Sequence, residues 1–208
     1  MKRLDVSDPK VFDKWRELYS ELTHEENIQF GYDMEKAYPH QASFNPAPIE
    51  TVLAGLNRPR VFEVGGWKGE LALHMFKKEL VSEWTNFDMC KAAVEKTLPE
   101  LKDYKYYPIF PTSFDWFGRE FTKPLCDIAI SCHTIEHLTD SDLKKLITYL
   151  SITPKVLFEA PIGEGPSDWT GYQGTHILKM GWTEIDKAMA VHKYRPTKLT
   201  DWMRLYEQ

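Results

Sequence analysis

Between Pro59 and Phe76 the chain reads PRVFEVGGWKGELALHMF, and no other stretch limits the fold so closely. Val61, Phe62 and Val64 are strand formers, bounded by Pro59 before them and by Gly65 and Gly66 after. Past Gly69, the residues Leu71, Ala72, Met75 and Phe76 recur at the spacing of one helix face. Glycines at such a crossing let the backbone take unusual dihedrals and approach a ligand closely. The helix start adds free N–H groups that suit an anion. A nucleotide-like ligand is the occupant this arrangement implies, although any strand-to-helix connection can contain glycine.

The strict dinucleotide spacing G-x-G-x-x-G is absent, because no three of Gly65, Gly66 and Gly69 satisfy it. What fits is E-x-G-x-x-x-G with an acid near the strand's end, running from Glu63 to Gly69. A second strand, Trp84 to Phe87, ends on Asp88, and a helix from about Lys91 to Leu98 follows. Asp88 lies about twenty residues beyond the glycines, where a carboxylate can accept the hydroxyls of a ribose. Its plainer alternative is a helix cap. Tyr104 to Pro111 reads as a third strand, and Pro108 marks it as exposed or an edge. Asp127 to Ser131 reads as a fourth strand, and a helix capped by Asp140 or Ser141 carries Leu143, Leu146, Ile147 and Leu150 on one face. Lys155 to Ala160 is the fifth strand candidate, opening into a loop rich in Gly, Pro and Trp.

Glu63 to Gly69, Asp88 and the run Ile135-Glu136-His137-Leu138 together resemble the motifs of the class I S-adenosylmethionine-dependent methyltransferases, over roughly Arg60 to Ala160. Trp67 stands where that family usually has its middle glycine. The resemblance implies an α/β fold: a doubly wound, Rossmann-like, mostly parallel sheet with helices on both faces, here with a helical N-terminal extension. It implies S-adenosylmethionine as cofactor, held by Glu63, Gly65, Gly66, Trp67, Gly69, Asp88, Met89, Ser113, Phe114, Asp115, Cys132 and His133. The acceptor would be an oxygen or nitrogen of a small molecule, with His137, Trp169, Tyr172 and His176 on the substrate side. His133 and His176 are the candidates for a catalytic base, since histidine titrates near neutrality. The family closes its sheet with a hairpin that inserts an antiparallel strand. Trp182 to Val191 reads as a helix, so the room left before Gln208 is tight and a reduced edge is expected.

With 208 residues the chain fits one compact domain, spanning 58–208, preceded over 1–57 by the helical extension and a candidate lid. A net charge of -5 gives no basic field for a phosphate backbone, which argues against nucleic acid as substrate. Three cysteines, Cys90, Cys126 and Cys132, without C-x-x-C spacing suggest neither a disulfide framework nor a zinc knuckle, and point to a reduced, cytoplasmic setting. No apolar run spans a membrane, and the early charges rule out a signal core. The oligomeric state is left open.

His133-Thr134-Ile135-Glu136-His137 also matches H-x-x-E-H, a zinc-hydrolase pattern whose third ligand would be His176 or Glu159. That chemistry requires both histidines on one helical face. Here His133 follows directly on a strand pattern, so no metal is expected, and His137 reads equally as a support for the loop. The rival classes are therefore a zinc-dependent hydrolase and a catalytically inactive, cofactor-binding regulatory subunit.

Overall fold

The alternation of apolar residues in β1 (Arg60–Val64) sends Val61 to one face of a sheet and Phe62 to the other. The computed structural model describes residues 45–110, 125–165 and 178–208, together with Lys14. The remaining described elements are α1 (Ala47–Ala54), α2 (Glu70–Lys77), β2 (Glu83–Phe87), α3 (Lys91–Glu95), β3 (Tyr106–Ile109), β4 (Ile128–Cys132), α4 (Asp140–Leu150), β5 (Lys155–Glu159), α5 (Trp182–Val191), β6 (Arg195–Thr200) and β7 (Met203–Glu207). Seven strands form one sheet in the order β3-β2-β1-β4-β5-β7-β6. The first five in sequence run parallel, and β7 enters antiparallel between β5 and β6.

Two apolar layers cover the sheet. On one face Phe62, Ala129, Val156 and Phe158 meet Leu143, Leu146, Ile147 and Leu150 of α4 and Trp182, Ile185 and Met189 of α5. On the other, Val61, Ile128, Ile130 and Leu157 meet Ile49 and Leu53 of α1 and Ala72, Leu73, Met75 and Phe76 of α2. The end of the segment assigned to the N-terminal extension thus supplies core residues. Each fully buried Leu or Ile contributes on the order of 1.5–3 kcal/mol relative to exposure. The first helix expected from Ser7 onward, and the candidate lid, lie outside the described residues.

Several boundaries differ from the sequence expectation. α3 stops at Glu95 because Leu98 precedes Pro99 and is pushed out of the helical region, to ψ 126°. A 3-10 turn over Pro99–Asp103 follows, and Tyr104, stacked on Phe76 with ring centroids 4.6 Å apart, precedes β3. The cap of α4 is Thr139, not Asp140 or Ser141: its Oγ1 accepts the Asp142 N–H at 3.2 Å, and Asp140 is already helical. The closing hairpin is complete. Asp201 and Trp202 alone connect β6 to β7, and a two-residue connection is all a hairpin requires. Both edge strands carry a proline, Pro108 in β3 and Pro196 in β6. Among the described residues no helix is long and apolar enough to cross a membrane.

Candidate functional site

β1 and β4 are neighbours, while the chain leaves β1 toward β2 on one side and leaves β4 toward β5 on the other. Their carboxyl ends therefore open a crevice at a topological switch point, where ligands bind in sheets of this kind. The loop after β1 lines it. Gly65, Trp67 and Gly69 all have positive φ, at 81°, 50° and 90°. At Gly65 a side chain would overlap Thr134 of the β4 loop, so glycine here lets the two loops touch across the switch point. The space beside Gly69 is filled by protein as well, with Leu101 Cδ1 at 2.5 Å and Tyr106 Oη at 2.7 Å from where a Cβ would stand. The missing side chain of Gly69 thus makes room for the core. Trp67, where the resembling family has glycine, holds the left-handed conformation without glycine's freedom, a strained position for a bulky residue.

The loop is fastened from β2. Fully buried Asn86 accepts the Gly66 N–H at 3.0 Å and donates to the Trp67 carbonyl at 2.9 Å and to the Tyr106 hydroxyl at 2.7 Å. Asp88 Oδ2 accepts the Trp67 N–H at 2.8 Å, and its Oδ1 accepts the Cys90 N–H at 2.7 Å. Burial pushes the Asp88 carboxyl up to about 6 against the pull of these two backbone donors. A carboxylate offers about four lone-pair sites, so two remain for ribose hydroxyls, and the turn-capping and ribose readings of Asp88 are compatible. Glu63 is buried beside the loop, where its Oε2 accepts the Trp84 indole N–H at 2.9 Å. Burial drives its carboxyl up to about 8, so it carries a proton near neutrality. α2 has no side-chain cap at Gly69, which leaves its first N–H groups to the crevice.

At the end of β4 the Ser131 hydroxyl donates to the Val64 carbonyl at 3.0 Å, and Thr134 Oγ1 donates to the Cys132 carbonyl at 3.0 Å. His133 has φ 50° and gives its N–H to the Glu159 carbonyl at 2.9 Å. Its Nδ1 stands 3.6 Å from Glu136 Oε1, and the bond to that carboxylate raises the imidazole above its ordinary value. Burial raises the Cys132 thiol well above its usual range, and the neighbouring Glu159 adds to this. His137 lies in a 3-10 turn over Ile135–His137, with its backbone N–H on the Thr134 carbonyl at 3.0 Å. His133 thus precedes any helix, and the two histidines do not form one turn of an α-helix, the condition the zinc pattern demands. Among the described residues no three His, Cys, Asp or Glu side chains are grouped to hold a metal.

Of the residues expected from sequence, the structure brings Glu63, Gly65, Gly66, Trp67, Gly69, Asp88, Cys132 and His133 to the crevice-facing end of the sheet, and Met89 half-buried against the core beside it. Ser113, Phe114, Asp115, Trp169, Tyr172 and His176 lie outside the described residues. Sequence reasoning missed Asn86 and Thr134. Asn86 carries a readable signal, an amide in a strand two residues before the acid at its tip; Thr134 carries none.

No protein-family model matches the chain, and no curated protein matches it in sequence. Its structure is similar to the methyltransferase domain of bacterial CtHen1, at 17% identity and TM-score 0.60, over 78% of this chain and 96% of that one. Human N-acetylserotonin methyltransferase in complex with S-adenosylmethionine superposes with TM-score 0.63 at 16% identity, over 93% of this chain and 59% of that one. The 1,6-didemethyltoxoflavin-N1-methyltransferase of Burkholderia thailandensis does so with TM-score 0.64 at 13% identity, over 92% and 88%. With five parallel strands and an antiparallel β7 inserted beside β5, the chain has the α/β, Rossmann-like fold of the class I S-adenosylmethionine-dependent methyltransferases.

Proposed function

We propose that the protein transfers a methyl group from S-adenosylmethionine to an oxygen or nitrogen of a small-molecule acceptor. The observation that carries this reading is the turn from Gly65 to Gly69, left-handed at three positions and tied to β2 through Asn86 and Asp88. Such a turn presents backbone and uncapped helix N–H groups at the switch point, beside a carboxylate with lone pairs to spare, which is the donor and acceptor set a nucleoside with a carboxylate tail requires. S-adenosylmethionine supplies, when bound, an electrophilic methyl carbon on a sulfonium. The protein's part is alignment and proton handling. Asp88 would hold the ribose hydroxyls, and the Gly65–Gly69 turn the carboxylate end. His133, one-third exposed and 3.6 Å from Glu136, would take a proton from the acceptor. Cys90, Cys126 and Cys132, none of them in a disulfide, suit a reducing, cytoplasmic setting.

Calorimetry with S-adenosylhomocysteine tests the cofactor assignment, and transfer of labelled methyl to a panel of phenols and amines tests the reaction. Saturable binding is expected, with His133→Ala retaining it while losing turnover. Absence of binding to the folded chain would remove the reading. Trp67 favours a second one, a cofactor-binding protein without turnover; binding combined with no transfer over the whole panel is its signature.

A further inference from the structure

Two carboxylates at the crevice end of β4 and β5 are buried and only half paired. Glu136 is 1% exposed and Glu159 8%, and in each the Oε2 atom has no hydrogen-bond partner among the described residues. An unpaired buried carboxylate is among the most unfavourable features a fold can carry, so such an arrangement persists where something else pairs with it. Both residues neighbour His133. Glu159 ends β5 in register with Cys132, whose thiol hydrogen-bonds its carboxyl, and its backbone carbonyl takes the His133 N–H. Glu136 approaches the His133 ring from the 3-10 turn. Burial raises the Glu159 carboxyl, His133 draws it down and Glu136 pushes it up, so the three share one electrostatic neighbourhood. His133, the most exposed of them, is where this group meets the crevice.

The two carboxyl groups outnumber the one imidazole, which leaves an acidic excess and two vacant acceptor atoms. A ligand that answers both carries a single positive charge and several N–H donors, which describes an ammonium group. The cofactor loop and Asp88 are satisfied without either glutamate.

We propose that Glu136 and Glu159 seat the protonated amine of the methyl acceptor, so that the substrate class is an alkylamine and the methylated atom is its nitrogen. This rests on the methyl-transfer reading and narrows it. An ammonium has no lone pair; the proton it must shed before its nitrogen becomes nucleophilic passes to the neutral imidazole of His133, breaking an N–H bond on the amine and forming one on the ring, beside the Glu136 carboxyl that favours the protonated ring.

The test compares phenethylammonium with its uncharged counterpart 2-phenylethanol on the protein saturated with S-adenosylhomocysteine, by calorimetry. The amine is expected to bind at least about tenfold more tightly, the margin a charge-assisted hydrogen bond supplies over a neutral one. Glu136→Gln and Glu159→Gln should each erase that preference while S-adenosylhomocysteine affinity stays unchanged. Thermal stabilisation of the wild type by the amine and not by the alcohol reads the same preference without any variant. Equal binding of the two probes, a preference that survives in both variants, or a parallel loss of S-adenosylhomocysteine affinity would each overturn the proposal, the last by giving the glutamates to the cofactor's own ammonium. Failure of S-adenosylhomocysteine to bind at all sinks the methyl-transfer reading itself, whereas normal cofactor binding without amine preference sinks this inference alone.

Discussion

Asn86 Oδ1 accepts the amide N–H of Gly66 at 3.0 Å, and through this bond a side chain of β2 sets the shape of a loop twenty residues earlier. The same amide group also holds the Trp67 carbonyl and the Tyr106 hydroxyl. Asn86→Leu preserves much of the volume and strands these buried partners, at a cost of about 1–3 kcal/mol for each unsatisfied group. S-adenosylhomocysteine affinity is expected to fall at least about tenfold, with a lower melting temperature. Asn86→Asp, which keeps the acceptor and loses the donor, should fall between. Undiminished affinity in a stable Asn86→Leu protein would show that the loop is held by Asp88 alone.

Gly69→Ala is expected to act on the fold before it acts on the ligand. The new methyl would meet Leu101 and Tyr106, and a left-handed backbone position would carry a side chain. Strain and overpacking together cost on the order of 2–4 kcal/mol. Chemical denaturation should register this loss. If the variant melts like the wild type and binds S-adenosylhomocysteine poorly, the position faces the ligand after all.

Stability without ligand should decrease as the pH rises from acidic toward neutral. Glu63 and Asp88 bind protons more tightly in the folded chain, at about 8 and about 6, than their ordinary values of 4.5 and 3.8 allow in the unfolded one. Their stabilising contribution is complete below the unfolded values and is lost as the pH climbs through about 6 and then about 8. Glu159 and His133, also raised, act in the same direction. Melting temperature measured between about pH 5 and about pH 8 should drop, by roughly 2–4 °C for each kcal/mol lost in a chain of this size. A flat or rising curve over that interval would mean that these groups ionise as freely as exposed ones.

Glu159→Gln is expected to stabilise the protein without ligand, by about 1 kcal/mol, because it removes a buried acid whose Oε2 has no partner. The comparison is one of melting temperatures at neutral pH. A destabilised variant would assign Glu159 a structural bond through Cys132 or His133 that outweighs the unpaired oxygen.

Much of this architecture was legible because its signals are local. The apolar alternation of β1, the glycines after it, the acid at the end of β2 and the helix carrying Leu143 to Leu150 each sit within a few residues of what they determine. Their strand and helix positions in the fold match the reading within a few residues. What stayed hidden depends on register between distant segments. Asn86 reaches Gly66 only because β2 pairs in parallel with β1, and Thr134 explains Gly65 only once β4 is known to lie on the other side. The packing around Gly69 stayed hidden for the same reason, since Leu101 and Tyr106 arrive from a later turn and strand. The tail was undervalued because length was weighed without the turn: Asp201 and Trp202 suffice to reverse the chain.

The prolines at the two borders of the sheet bear on how the chain behaves in company. A strand offered by another molecule at β3 or β6 meets a residue that has no N–H to give, Pro108 or Pro196, and at β6 the exposed charges of Arg195 and Lys198 stand beside it. Neither border is a good template for fibrillar growth. The apolar central strands β1, β4 and β5, which would be hazardous at a margin, are kept two or three places inside it, so the protein can concentrate its stickiest sequence where no neighbour can reach.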